Sequence, residues 1–128
     1  MPPRRSDPQA GRDAVAAALA AIDAGERPAR QVFGPAVRFL LELLADRAPG
    51  KAVEVRVPPY AAVQCVSGPR HTRGTPPNVL ETDAVTWIGL ATGRLTWAEA
   101  DAAGRLSASG IRADISPYLP VYRARPGR

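Results

Sequence analysis

The hydrophobic positions of the chain first follow a helical period, then alternate, then return to a helical period. Val15, Leu19 and Ile22 share one face within residues 12–24, predicting a peripheral helix with a narrow apolar stripe that stops at Gly25. A second helix is expected from Gly34-Pro35, because proline suits a first helical turn; a shorter turn is read before it, from Pro28. At 100° per residue Phe33, Val37, Leu40, Leu41 and Leu44 cluster, with Phe39 and Leu43 on an adjoining flank. That arc covers about half the circumference, more than a surface helix needs. It places the helix either between a sheet and another helix or against a bound apolar ligand. Arg38 and Glu42 face the other way, and Pro49-Gly50 ends the helix.

Strict alternation follows. Val53, Val55 and Val57 point to one side and Glu54 and Arg56 to the other, predicting a strand that Pro58-Pro59 interrupts. Residues 60–67 resume as a strand with Val63 and Cys65 on one face, and Val79 opens a third. Asp83 is placed to cap a helix carrying Trp87, Leu90 and Ala91, which Gly93 ends. Thr96 and Glu99 have the spacing of a capping box for a short helix stopped by Gly104. Leu106 to Ser109 alternate as a last strand, and Asp114 or Ser116 can cap a final short helix with Pro117 near its start. The pattern predicts an α+β domain: a small, mostly antiparallel or mixed sheet of four to five strands with helices covering one face. The expected organisation is a disordered tail over residues 1–11, one domain over 12–122 (helices in 12–48, sheet-plus-helix core in 51–122), and a frayed tail over 123–128.

Composition changes this picture in one respect. Of the 128 residues 45% are hydrophobic, but 24 are alanine, so the core is expected to be modest and to leave space for something else to fill. The net charge of +5 rests on 16 arginines and one lysine spread along the chain, often beside acids. Without clustering or interleaved aromatics, this does not point to nucleic acid. A single cysteine, Cys65, rules out an intrachain disulfide, and no apolar run is long enough to span a bilayer. No signal-peptide pattern is seen, and the expected location is the cytoplasm.

The stretch from Thr82-Asp83 through Leu90-Ala91-Thr92-Gly93-Arg94-Leu95, Ala100 and Gly104-Arg105-Leu106 to Ser109-Gly110 resembles the C-terminal half of the sterol carrier protein type-2 domain. More narrowly, it is similar to the small stand-alone branch of that superfamily found in actinobacteria. The resemblance implies an apolar tunnel between the sheet and its covering helices. Ile111 stands where the family commonly has Asp or Asn, and Pro58-Pro59 interrupts the strand region. Both departures bear on the size of any tunnel; a smaller cavity would suit an acyl chain better than a sterol ring. Similar domains also occur at the C-terminus of mycothiol-dependent isomerases; their metal-binding helical domain has no counterpart in this sequence, so independent catalysis is not expected.

The residues themselves offer little covalent chemistry. One His and one Cys cannot supply a zinc site. Cys65, Ser67 or Thr72 with His71 as base lack any nucleophile signature, and the expectation is a buried structural Cys65 and a loop His71. No cofactor motif occurs. Leu40, Leu44, Trp87, Leu90, Leu106, Leu119 and Val121 come from separate elements and could line one apolar cavity or simply form a core. Arg70, His71 and Arg73 form a compact cationic loop, either solvated, or paired with Glu81 or Asp83, or able to hold an anionic head group or an acidic partner. The leading expectation is non-enzymatic binding, and in one version transfer, of a lipid or other apolar molecule, with transient contact to an anionic membrane. The alternative is an accessory or regulatory module acting through the 70–73 loop on a protein or anionic metabolite.

Overall fold

The computed structural model describes residues 5–68 and 78–123. In chain order these form α1 (Pro8–Asp23), α2 (Arg30–Arg47), β1 (Val53–Val57), β2 (Ala61–Cys65), β3 (Val79–Glu81), α3 (Ala84–Thr92), α4 (Trp97–Ala102) and β4 (Ser107–Ser109), followed by a single 3-10 turn at Ser116–Tyr118. The sheet order is β2-β1-β3-β4. β1 runs antiparallel to β2 and parallel to β3, and β3 runs antiparallel to β4. The architecture is the α+β arrangement that the pattern predicts, with four strands.

Alternation decides which face of the sheet is covered. Val53, Val55 and Val57 are buried, and Val55 stands opposite Val63 on one side and Leu80 on the other. Glu54 and Arg56 occupy the opposite face, where they pair with each other. Against the covered face α2 sets Phe33, Val37, Leu40, Leu41 and Leu44, all fully buried. Its other flank takes α1 through Val15, Ala18 and Leu19. The wide apolar arc of α2 is thus the arc of a helix held between a sheet and another helix. Gly11 permits the close crossing of α1 and α2, since a Cβ at that position would lie 2.2 Å from a Phe39 ring carbon.

Three boundaries differ from the sequence reading. The first helix starts at Pro8 rather than Arg12, because the Asp7 side chain accepts from the Ala10 amide at 2.9 Å and Pro8 sits in the first turn. Part of the stretch read as a disordered tail is therefore helical. Just before it, Arg5 pairs with Asp46, and Ser6 donates through its amide and hydroxyl to Glu42. The second helix begins at Arg30 and runs through Pro35 without a break. Proline there removes only the amide that would bond to the carbonyl of Gln31, an exposed residue whose carbonyl can bond to water. The final helix is reduced to one 3-10 turn. The caps are where the sequence places them: Asp83 on α3, Gly93 after it, and the reciprocal Thr96–Glu99 box on α4.

Candidate functional site

The seven apolar candidates occupy three surroundings. Leu40 and Leu44 from α2 and Trp87 from α3 are fully buried in the central cluster, and Leu90 is buried on α3. The Asp83 cap fixes the start of α3, and Trp87 lies one turn in, its Nε1 donating to the Val37 carbonyl at 3.4 Å. Leu119 and Val121 are partly buried and pack against the same cluster from the C-terminal segment. That segment is tied to α3 by the amides of Val121 and Tyr122, which both donate to the Ala91 carbonyl at 2.9 and 3.0 Å. It is tied to α2 by Arg47, which donates to the Pro120 carbonyl at 3.1 Å, and by Tyr122 edge-on to Phe39. These six residues are gathered around the α2–α3 pair, and Leu106 packs on the same cluster from just before β4.

Leu106 is also partly buried against the cluster, and it faces a second environment as well. It lines a groove of about 320 Å³ at the ends of β1 and β3, beside Pro58, Glu81, Asp83 and Arg105. Both Asp83 oxygens are engaged, by the Thr86 amide and the Thr86 hydroxyl, and the Thr82 hydroxyl donates to the Arg105 carbonyl. These polar groups hold the local backbone together.

A second groove, of about 340 Å³, runs along the free edge of β2. Its floor is Leu41, Ala45 and the consecutive residues Ala61, Ala62 and Val63, with Arg38, Glu42, Asp46 and Arg5 around it. Consecutive strand residues point to opposite faces, so a groove lined by three in a row follows the strand's edge. Sequence reasoning missed it, having read Arg38 and Glu42 as simply facing water. The available signal was the one-turn spacing of Arg38, Glu42 and Asp46 beside a strand that carries no charge.

The thiol of Cys65 is buried at the end of β2, and burial pushes its pKa up to about 11. A thiol so hard to ionise is a structural side chain and a poor nucleophile. At pH 8 the folded protein should react with a thiol reagent at least about a hundredfold more slowly than the urea-unfolded chain. The shift also has a sign. The unfolded thiol ionises near its ordinary 9.0 while the folded one stays protonated to about 11. Stability should therefore fall across that window, by about 1.4 kcal/mol per pH unit at most, and Cys65→Ala should lack this component in urea titrations.

Arg70, His71 and Arg73 lie outside the described residues. Among the described residues, no group of His, Cys, Asp and Glu is arranged to hold a metal ion, and no helix is long and apolar enough to cross a membrane.

Helices laid over one face of a four-stranded mixed sheet, with an apolar interior between the layers, define a sterol-carrier-like α+β domain. The chain matches the family described as bacterial SCP ortholog over residues 29–121, more than two thirds of its length, and belongs to that family. A search of curated proteins finds no match. The family assignment carries a general role in lipid binding or carriage. The matched stretch runs from the start of α2 to Val121, so it contains all seven apolar candidates and leaves α1 outside.

Proposed function

We propose that this protein binds a single-chain lipid between its sheet and the α2–α3 pair, without covalent chemistry. The observation that carries the reading is the coincidence of the family match with the apolar cluster: the matched stretch ends on Val121, the last of the seven side chains. Leu119 and Val121 are only partly buried against the cluster that holds fully buried Leu40, Leu44 and Trp87, so a ligand entering there would displace less buried surface than elsewhere in the wall.

Chain length follows from simple energetics. Each buried methylene contributes about 0.8 kcal/mol. Association costs at least about 4 kcal/mol, and micromolar affinity requires about 8 kcal/mol net. Roughly fifteen methylenes meet both demands, which is the length of a palmitoyl chain. The purified protein should therefore carry co-purified lipid in native mass spectrometry. In a Trp97→Phe background, Trp87 emission should change on titration with palmitate and stay constant with octanoate. A clean apo mass together with a flat palmitate titration would refute the reading.

A further inference from the structure

Among the described residues, the large hydrophobic side chain most fully in water is Ile111, which is 98% exposed. It occupies a tight turn in which the Ala113 amide donates to the Gly110 carbonyl at 3.4 Å, so Ile111 and Arg112 are its two central residues. Turns favour Pro, Asp, Asn, Ser and Gly at such positions for conformational reasons, and isoleucine offers none of them. Ile111 buries nothing, so the fold gains nothing from its side chain. The turn itself is firmly held: Ala113 and Ile115 behind it are buried, and the Arg112 amide donates to the buried Asn78 side chain at 2.9 Å.

Asn78 also donates to the Ala52 carbonyl at 2.8 Å, which pins the loop carrying Lys51 to the same end of the sheet. The Arg112 guanidinium lies against Gly68, and Gly68 in turn approaches Ala52. Lys51 and Arg112 are both exposed, and neither forms an ion pair among the described residues. The acid closest in sequence to Arg112, Asp114, accepts from the Ser116 amide, and the one closest to Lys51, Glu54, pairs with Arg56. One end of the sheet therefore presents a projecting aliphatic side chain with a cation on the same turn and another on the adjoining loop.

We propose that this end, formed by Ile111, Arg112 and Lys51, is where the protein touches an anionic bilayer, with Ile111 entering the headgroup region. The inference rests on the lipid-binding reading and adds the surface through which a ligand would be exchanged. An aliphatic anchor with two cations gives weak, salt-sensitive and reversible attachment, which suits a carrier that must leave again.

The test is co-sedimentation of the full chain with vesicles of phosphatidylcholine containing 30% phosphatidylserine, and with phosphatidylcholine alone, at low salt. Wild type should partition onto the anionic vesicles at least tenfold more than onto the neutral ones. Ile111→Asp should lose at least tenfold of that partitioning, with unchanged thermal midpoint and circular dichroism. Lys51→Glu with Arg112→Glu should do the same. A fluorophore on Ile111→Cys, with Cys65 buried and unreactive, should shift to the blue on anionic vesicles only. Equal partitioning of wild type and Ile111→Asp, or equal binding to both vesicle types, would overturn the proposal. Palmitate titration in solution separates the two ideas. It should be unaffected by Ile111→Asp, and if it is flat for wild type while vesicle binding still depends on Ile111, the ligand reading fails and the docking surface stands.

Discussion

Trp87→Ala should cost about 3–5 kcal/mol of stability, the range for removing a large aromatic from a packed interior. For a chain of this length that lowers the thermal midpoint by roughly 10–20 °C. Trp87 is fully buried, and its Nε1 adds a second bond to the Val37 carbonyl inside α2, so truncation costs mainly through the cavity it leaves. Urea unfolding followed by far-UV circular dichroism measures the loss. The value also bears on function. If Trp87 walls a space that a lipid enters, saturating palmitate should stabilise wild type and rescue Trp87→Ala to a different extent. If Trp87 is purely structural, palmitate should give wild type and Trp87→Ala the same increment.

Gly50→Ala should be nearly as damaging, at about 3 kcal/mol or more, from overpacking and backbone strain together. A Cβ on Gly50 would lie 2.1 Å from the Val66 carbonyl oxygen and 2.5 Å from the Ser67 amide nitrogen, and φ at Gly50 is +149°. The obstacle cannot yield easily. Val66 is itself held at φ 67°, unusual for a β-branched residue, with its amide donating to Ala48 and its carbonyl accepting from Ala52. Gly25→Ala provides the comparison. Gly25 has φ +75° but open space around its Cβ position, so alanine there should cost only about 1 kcal/mol. Thermal unfolding of the two variants side by side separates the clash from the conformational cost.

The features legible in the sequence are those set by neighbours along the chain. The Asp83 and Thr96–Glu99 caps and the Val53, Val55, Val57 alternation each depend on a few adjacent residues, and all occur as read. The continuation of α2 through Pro35 depends on burial of Phe33, Val37 and Leu40 on both flanks, a tertiary gain that outweighs one missing amide bond. The start of α1 at Pro8 is likewise supported from a distance, by Arg5 on Asp46 and Ser6 on Glu42. The apolar candidates were legible as buried side chains, but that Leu106 packs on the core while also lining a groove at the ends of β1 and β3 depends on strand order, which periodicity does not encode. Ile111 stood out in the sequence only as a departure from a family pattern; its place in a turn braced by Asn78 is a tertiary fact.

The docking of α1 on α2 has one more consequence. The family match begins at residue 29, yet Phe39 packs against α1 through Gly11, and α1 contributes Val15, Ala18 and Leu19 to the common interior. Similarity across sequences and cooperativity within one molecule thus draw different borders. A fragment cut at the inherited border would expose an apolar flank of α2 to water, and its tendency to self-associate would reflect the cut rather than the native protein.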